Sequence, residues 1–335
     1  MADQGSLPLI AVIGAGGTIS SLATDPRDYL DYPETGQKLT TDEVLERIPE
    51  LSQFARLISL PFRSVGSSAI GPQDWLRLHR TITDAVAAEP AIAGFVILHG
   101  TATLEETAYF LSLTLAGELP VVVVGAQRPL NTLGSDAVPN AISAVRVAAD
   151  PQSRGRGVMV VLNDEIHAAR EVTKGSTYRL HAFHSGAFGP IGVADPDGIV
   201  YTFSHTTGGT APAFDIADLT ELPRVDVLYS YAGCDGVAVR ALVAAGARGL
   251  VSAAFAPGIP APLEREALVE ASRTGVIVVQ STRVGKGRVA RRKWVRDHSW
   301  VGAGDLNPQK ARILLSLGLT VTQDPDEIQT IFDKH

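Results

Sequence analysis

The sequence predicts an α/β protein with a larger N-terminal domain built on a mostly parallel sheet and a smaller C-terminal α/β domain. Short apolar runs alternate with longer amphipathic stretches through the first 200 residues, an alternation typical of parallel strands covered by helices on both faces. The pattern breaks at 201–223 and then resumes. We therefore expect an N-terminal domain over residues 1–200, a linker over 201–223 and a C-terminal domain over 224–335.

Individual elements follow from the same periodicity. Buried strands are predicted at 95–98, 121–124 and 158–162 in the first domain. The interval 201–223 contains Thr-Thr-Gly-Gly-Thr at 206–210, which favours a connecting segment. In the second domain strands are expected near 225–229, 249–253 and 276–280, and helices near 237–245, 263–274 and 308–317. Residues 25–35 lack a clear period, so a loop that acts as a lid is expected there.

Two predicted strands end in turns that contain glycine and threonine. The apolar run 9–13 leads into Gly-Ala-Gly-Gly-Thr at 14–18, and 95–98 leads into His-Gly-Thr at 99–101. Glycines allow the chain to turn sharply and bring a ligand close to backbone N–H groups. Because ligands of open α/β sheets bind beyond the carboxyl ends of strands, Thr18 and Thr101 are expected to line one pocket.

Composition narrows the range of partners and compartments. The chain has 335 residues, 45% of them hydrophobic and 19% charged. Its net charge of −7 argues against a nucleic-acid partner, although 286–296 is locally basic. The single cysteine, Cys234, excludes an intrachain disulfide and agrees with a reducing compartment. Residues 1–6 carry no secretory pattern and no apolar run could span a bilayer, so a cytoplasmic protein without a membrane partner is expected.

Six blocks in order along the chain resemble the bacterial L-asparaginase family of threonine amidohydrolases. They are Gly-Gly-Thr-Ile at 16–19, Val-Gly-Ser at 65–67, His-Gly-Thr at 99–101, Gly-Ala-Gln-Arg-Pro at 125–129, the segment from Asn-Asp at 163 to Lys174, and Leu-Asn-Pro-Gln-Lys-Ala-Arg at 306–312. The resemblance implies the asparaginase-like fold, a small-molecule amide substrate and hydrolysis without metal or organic cofactor. It also implies a homotetramer, a dimer of dimers whose active sites lie at the intimate dimer interface.

The resemblance assigns catalytic roles to residues of this chain. Amide hydrolysis by a hydroxyl group needs an activated oxygen, a proton acceptor and donors for the oxyanion. Thr18 matches the family's nucleophile, which a nearby tyrosine activates. Tyr29 and Tyr32 both fall in the predicted lid, and Tyr32 is preferred. Thr101 and Lys174 match the family's second threonine and its lysine, and a lysine buried beside hydroxyls can accept a proton near neutral pH.

Further residues are expected to bind the substrate or to shape the site. Ser67 matches the serine that holds the substrate α-carboxylate in the family, and Ser68 stands where many relatives have glutamine. The predicted substrate-binding set is completed by Gly17, Gly100 and Ala102. Asp136 and Asn140, in a block with several substitutions, are expected to be structural and to cap the helix that follows.

Three departures from the family pattern concern the substrate α-amino group. Ala102 replaces an aspartate that binds this group and also supports the second threonine and the lysine. The loop 286–296 contains no acid where the family has one, and Tyr-Ser-Tyr-Ala-Gly at 229–233 stands for Tyr-Asn-Tyr-Ala-Asn. A buried ammonium without a counter-charge is costly. All three departures therefore argue against a substrate that carries a free α-amine.

The sequence thus predicts an asparaginase-family amidohydrolase with altered specificity. Its substrate would be an amide, imide or lactam that carries a carboxylate but no free α-amino group. Arg291 or Arg292 could bind an additional anion, and the alternative for both is a solvated basic loop. Two other functions stay open: a plain L-asparaginase, and a non-catalytic binding protein on the same fold.

Overall fold

The computed structural model describes residues 7–202 and 211–335. The chain divides into two compact units, one ending at Leu219 and the other running from Thr220 to His335. The expectations for residues 1–6 and for 206–210 of the predicted linker lie outside the described residues. Residues 211–219 pack with the first unit. Phe214 and Ile216 are buried, and the Phe214 N–H donates to the Leu113 carbonyl at 3.0 Å. The predicted domain boundaries stay predictions.

The first unit contains an eight-stranded sheet and two short two-stranded ribbons. Its strands are β1 (Leu9–Gly14), β2 (Ser21–Leu22), β3 (Gln37–Lys38), β4 (Arg56–Leu60), β5 (Ile92–Leu98), β6 (Val121–Val124), β7 (Val158–Leu162), β8 (Glu165–Ala168), β9 (Thr173–Lys174), β10 (Phe183–His184), β11 (Gly192–Asp195) and β12 (Gly198–Tyr201). The sheet order is β12-β11-β8-β7-β6-β5-β1-β4. The strands from β4 to β7 are parallel, and β8, β11 and β12 extend the sheet with antiparallel pairs.

Four helices cover the parallel part of this sheet: α2 (Thr41–Arg47), α3 (Pro72–Ala88), α4 (Leu104–Thr114) and α5 (Ala137–Ala149). The short α1 (Tyr32–Thr35) lies beside β2 instead. Every residue of β6 and β7 is buried, which requires cover on both faces. Val122 and Val124 of β6 pack in one apolar cluster with Ala141 and Ala144 of α5. The predicted mostly parallel sheet and its strands at 95–98, 121–124 and 158–162 are therefore confirmed.

The second unit is a smaller parallel α/β domain, as predicted. Its strands are β13 (Val225–Tyr229), β14 (Gly249–Ala254), β15 (Ile277–Thr282) and β16 (Val301–Gly302), in that order in one parallel sheet. Its helices are α6 (Val237–Ala244), α7 (Pro262–Arg273), α8 (Lys293–Asp297), α9 (Pro308–Gly318) and α10 (Pro325–Lys334). Trp300 and Leu250 are fully buried in its apolar core.

The segment predicted as a loop and lid, 25–35, differs from the expectation at its end. Residues Tyr32–Thr35 form the single helical turn α1, with Pro33 as its second residue. The Gly36 N–H donates to the Tyr32 carbonyl at its end. Proline is well tolerated in a first turn because its missing N–H has no partner there. The apolar period failed to predict this turn because none of its residues is buried.

Two glycines bring the carboxyl ends of β1 and β5 together. The strands are parallel neighbours, with Gly14 opposite Leu98. Gly17 has φ 79°, a conformation that L side chains rarely adopt, and a Cβ added to it would lie 2.0 Å from the Cα of Gly100. The two backbones therefore touch, and the residues that follow them, Thr18 and Thr101, start from adjacent points.

We predict that Gly17→Ala destabilises the protein more than the same substitution at a glycine that also has a positive φ but has no close neighbour. Gly155 is the matched control, because its φ is 77° and no atom lies within 4 Å of an added Cβ. Gly155→Ala is expected to cost about 1–2 kcal/mol of unfolding free energy from backbone strain alone. Gly17→Ala is expected to cost about 2–5 kcal/mol, because the clash with Gly100 adds to that strain. Urea denaturation measures both, and equal losses would contradict the contact.

The buried side chain of His99 holds the turn that follows β5 in place. Its imidazole is fully buried, with Nδ1 2.8 Å from the Gly100 carbonyl and Nε2 2.9 Å from Thr107 Oγ1. The Trp75 indole N–H donates to the same Oγ1 at 3.0 Å, so the Thr107 proton is directed to Nε2 and Nδ1–H donates to Gly100. Burial lowers the pKa of His99 to about 4, so the ring is neutral at neutral pH.

We predict that His99 makes the protein less stable as the pH falls. An unfolded histidine titrates near pH 6.5, whereas folded His99 resists protonation until about pH 4. The unfolded chain therefore binds more protons between these values, and stability is lost as the pH drops through this window. The loss between pH 7 and pH 5 is about 2 kcal/mol. In His99→Gln this component of the pH slope in urea unfolding should vanish, with exposed His181→Gln as the matched control. A slope unchanged by His99→Gln would refute the neutral buried ring.

Candidate active site

Thr18 and Tyr32 form the first polar pair of the site. Thr18 begins the short 3-10 helix Thr18–Ser20 directly after Gly17, and Tyr32 is the first residue of α1. Their hydroxyl oxygens lie 2.6 Å apart. Burial raises the pKa of Tyr32, while its hydrogen bond with Thr18 partly opposes that shift. The phenol is therefore protonated at neutral pH and can both accept and donate a hydrogen bond.

Tyr29, the alternative partner for Thr18, is engaged elsewhere. Its hydroxyl donates to the Leu133 carbonyl at 2.7 Å, and the guanidinium of Arg128 lies over its ring at 5.0 Å from the centroid. Of the two tyrosines that the sequence left open, it is Tyr32 that lies against Thr18.

Thr101, Lys174 and Gln127 form the second polar group. Lys174 in β9 donates from Nζ to Thr101 Oγ1 at 2.7 Å and to Gln127 Oε1 at 3.2 Å. The Thr101 hydroxyl donates to the same Gln127 oxygen at 3.3 Å. The position of Lys174 is fixed by its backbone N–H, which donates to Glu105 Oε2 at 3.0 Å. The expected pairing of the second threonine with the lysine is thus present, with an amide as its third member.

Lys174 lies in surroundings that favour its neutral form. Burial lowers the pKa of Lys174, and the carboxylate of Glu105 opposes this effect only in part. A lowered pKa increases the fraction of free amine at neutral pH, which is the form that accepts a proton. The amine is within hydrogen-bonding distance of a hydroxyl, so a proton can pass between them.

Ser67, Gly100 and Ala102 meet at the turn after β5. Ser67 begins the 3-10 helix Ser67–Ala69, and its Oγ accepts the Ala102 N–H at 3.2 Å while its carbonyl accepts the Thr103 hydroxyl at 2.8 Å. A Cβ on Gly100 would lie 2.7 Å from Ser67 Oγ, so glycine is required for this approach. Ala102 presents an exposed methyl group here.

Ser68 is less closely tied to this turn. Its side chain is exposed, and across 7–202 and 211–335 its hydroxyl makes no hydrogen bond. Of the predicted substrate-binding set, Gly17, Ser67, Gly100 and Ala102 come together, whereas Ser68 only flanks them. Their roles in binding stay predictions.

The prediction that Asp136 and Asn140 cap a helix was wrong, although both are structural. Asp136 occupies the N-cap position of α5 without capping it by its side chain. Its carboxylate instead accepts the backbone N–H groups of Gln127 and Arg128 at 2.9–3.1 Å. Asn140 lies inside the helix and donates to Asp136 Oδ2 at 3.1 Å and to the Gly125 carbonyl at 3.0 Å. Both side chains therefore bind the backbone of the loop that precedes α5 and do not cap the helix.

Sequence reasoning missed Gln127 and Glu105. Gln127 stood within the matched block 125–129 without an assigned role, and Glu105 lay outside all six matched blocks. The signal that could have found Gln127 was its position three residues beyond the predicted strand 121–124, because Thr101 lies three residues beyond the predicted strand 95–98. Only the tertiary fold brings both side chains to Lys174.

A cavity adjoins the second polar group. Its volume is about 550 Å³ and its lining residues are Tyr29, Leu30, Gln127, Arg128, Tyr178, Arg179 and Leu180. The lining includes two arginines and no acid. Gln127 belongs both to this lining and to the group with Thr101 and Lys174, so the cavity and the polar group meet at Gln127.

The second unit holds the other positions that the sequence singled out. Arg291 donates to the Trp300 carbonyl at 3.0 Å and pairs with Asp326 at 2.6 Å, so its guanidinium is already occupied and does not favour the hypothesis of an anion clamp. Ser230 is buried and donates to Glu264 Oε2 at 2.6 Å.

Comparison with known proteins agrees with these features. Residues 9–206 match the family model described as "Asparaginase, N-terminal" and residues 224–332 match "Glutaminase/Asparaginase C-terminal domain". The chain is 38% identical to "Probable L-asparaginase periplasmic" from Haemophilus influenzae over 99% of this chain and 95% of that protein. It is also 38% identical to "L-asparaginase 2" from Escherichia coli K12, over 98% and 94%.

A solved structure of an asparaginase is also similar to this chain. The probable cytoplasmic L-asparaginase from Campylobacter jejuni superposes with a TM-score of 0.94 at 36% identity, covering 98% of this chain and 100% of that one. One relative is named periplasmic and another cytoplasmic, so the cytoplasmic location stays a prediction, as does the homotetramer. Within the described ranges, no helix is long and apolar enough to cross a membrane. Two family domains in series and full-length relatives above 30% identity establish that this chain belongs to the asparaginase family, whose members are amidohydrolases that act on carbon–nitrogen bonds other than peptide bonds.

Proposed function

We propose that this chain hydrolyses the C–N bond of a small amide, imide or lactam that carries a carboxylate and lacks a free α-amino group, with Thr18 as the nucleophile. One observation carries the proposal. The Thr18–Tyr32 and Thr101–Lys174 pairs are in hydrogen-bonding contact, while the residue after Thr101 contributes only the exposed methyl of Ala102. The groups for acyl transfer are retained, and a charged partner for an ammonium is missing beside them.

The reaction proceeds in two steps. Thr18 Oγ1 attacks the carbonyl carbon and gives its proton to Tyr32 Oη, which passes its own phenolic proton towards the leaving nitrogen. The C–N bond breaks, releasing the amine and leaving the acyl group as an ester on Thr18. Water then attacks the ester while the neutral amine of Lys174, through Thr101, accepts its proton. That proton returns to Thr18 as the acid departs, so the net change is addition of one water.

The charge balance supports the choice of substrate. The carboxylates near the second polar group are in use: Glu105 accepts the Lys174 backbone N–H, and Asp136 accepts those of Gln127 and Arg128. Ala102 adds no charge. Losing one charged hydrogen bond to an ammonium costs about 1.5–3 kcal/mol, or about 10- to 100-fold in affinity.

The cavity beside Gln127 supports the proposal that the substrate carries a carboxylate. Arg128 is held in place by its bond to the Gly134 carbonyl at 2.8 Å and by the ring of Tyr29. The guanidinium of Arg179 makes no hydrogen bond or ion pair with the described residues and is exposed on the cavity wall. A guanidinium binds a carboxylate through two parallel N–H donors, so these two arginines are the proposed contacts for the substrate anion.

Ammonia release from succinamate and from L-asparagine tests the proposal, because succinamate is asparagine without its α-amino group. We expect kcat/KM for succinamate to exceed that for L-asparagine by about 10-fold or more. In Ala102→Asp the asparagine value should rise by about 10- to 100-fold, and Thr18→Ala should abolish turnover.

Two outcomes would contradict this reading. The names of the relatives favour a plain L-asparaginase, and equal or better turnover of L-asparagine would support that alternative. A panel of amides, imides and lactams without any turnover, with ligand binding unchanged in Thr18→Ala, would support the non-catalytic binding protein.

We predict that Arg179→Gln weakens the binding of a carboxylate-bearing substrate. Removing the guanidinium should raise KM for succinamate by about 10-fold and leave KM for butyramide, which has no carboxylate, unchanged. Arg154→Gln is the matched control, because Arg154 is an exposed arginine of the same unit away from the cavity. Equal effects on succinamate and butyramide would argue against a carboxylate contact.

A further inference from the structure

Gln127 contacts both members of the Thr101–Lys174 pair through one oxygen. Oε1 accepts a hydrogen bond from Lys174 Nζ at 3.2 Å and from Thr101 Oγ1 at 3.3 Å, while Nζ and Oγ1 lie 2.7 Å apart. The three atoms form a closed triangle. We infer that Gln127 is a positioning residue, which holds the Lys174 amine and the Thr101 hydroxyl against each other by sharing one neutral acceptor between them.

The backbone under Gln127 is fixed, as a positioning role requires. Its N–H donates to both oxygens of Asp136, at 3.1 and 2.9 Å, and the Arg128 N–H donates to the same carboxylate. Asn140 in α5 donates to Asp136 and to the carbonyl of Gly125, the residue that follows β6. Asp136 and Asn140 are both buried, so this support excludes water. The Gln127 side chain therefore starts from a rigid point of the fold.

A neutral acceptor has a different effect on a lysine than a carboxylate has. A carboxylate at this distance would favour the ammonium form strongly and hold the amine protonated at neutral pH. The amide oxygen accepts the same hydrogen bonds without adding a full charge. It therefore keeps the lysine in place and leaves the amine able to lose its proton, which the proposed second step needs.

The other end of the Gln127 amide has no partner in the part of the chain that the structure describes. Gln127 Nε2 is buried and donates to no group of the described residues. An unpaired buried donor costs about 1–3 kcal/mol. The two hydrogen bonds at Oε1 are therefore the contacts that hold the Gln127 side chain at this position.

Other titratable groups surround Lys174 and must be kept constant in a test. Glu105 approaches from α4, and Asp136 lies under Gln127. His184 of β10 pairs opposite Thr173, and its ring lies within 2.5 Å of where a Cβ on Gly175 would be. Substitutions at position 127 leave all three in place, so a change in the titration of Lys174 can be assigned to the acceptor itself.

Direct titration of Lys174 by NMR tests the inference. The chain has only six lysines, Lys38, Lys174, Lys286, Lys293, Lys310 and Lys334, so side-chain signals can be resolved and Lys174→Arg assigns the one of interest. We expect Gln127→Glu to raise the titration midpoint of Lys174 by about 1–3 pH units, because a charge replaces the neutral oxygen. We expect Gln127→Met to lower it, because the charged form loses an acceptor.

Opposite shifts in the two variants are the signature of a direct contact, which a general packing defect would not produce. Gln53→Glu, an exposed change of the same kind, is the matched control and should leave the midpoint unchanged. An unshifted midpoint in Gln127→Glu, or shifts of the same sign in both variants, would overturn the inference. Thermal unfolding checks that each variant is folded, and if Gln127→Met is not, Gln127→Leu serves in its place.

This inference rests on the proposed function for its catalytic meaning, yet its test requires no turnover. Failure of succinamate hydrolysis with the expected lysine shifts would refute the proposed substrate and keep the contact. Turnover of succinamate without the lysine shifts would refute the contact and keep the substrate.

Discussion

The candidate site depends on one backbone contact, the approach of Gly17 to Gly100 at the carboxyl ends of β1 and β5. Parallel pairing aligns the two strands, and the absence of side chains at both glycines lets their turns meet. Thr18 leaves one turn towards Tyr32, and Thr101 leaves the other towards Lys174. A methyl group at either glycine would separate the turns. The fold therefore fixes the geometry of the site through backbone packing before any functional side chain is placed.

Around this contact the structure surrounds the hydroxyl groups with neutral partners. His99 is neutral because it is buried, and it supports the Gly100 carbonyl without adding charge. Tyr32 is protonated, and Gln127 offers an amide oxygen to Lys174. The nearby acids bind backbone N–H groups. Such surroundings suit proton transfer between neutral groups and offer little to a substrate ammonium, which connects the contacts of Gln127 with the loss of a carboxylate at Ala102.

The strands and the catalytic candidates could be predicted because their signals are local in sequence. Apolar runs such as 121–124 predict buried parallel strands, and the six family-like blocks identify the two threonines and the lysine as candidates. Three features could not be predicted. The helical turn at Tyr32 has no buried residue, so it leaves no apolar period. Asp136 resembles a helix cap in sequence, but its carboxylate binds the loop before the helix. Arg291 resembles an anion ligand until Asp326 is seen beside it.

The sequence by itself predicted the fold class and the family, and it named Thr18, Thr101 and Lys174 as candidates, because periodicity and motif spacing are properties of the chain. Through Ala102, the family resemblance also predicted a site without a carboxylate at this position. The sequence only preferred Tyr32 to Tyr29, and tertiary structure decided that Tyr32 meets Thr18. Tertiary structure alone brought Gln127 to Lys174 from a segment 47 residues away. The physical reason is that side-chain hydrogen bonds depend on distances of about 3 Å, which are set by strand pairing and loop support and are not written in the spacing of residues.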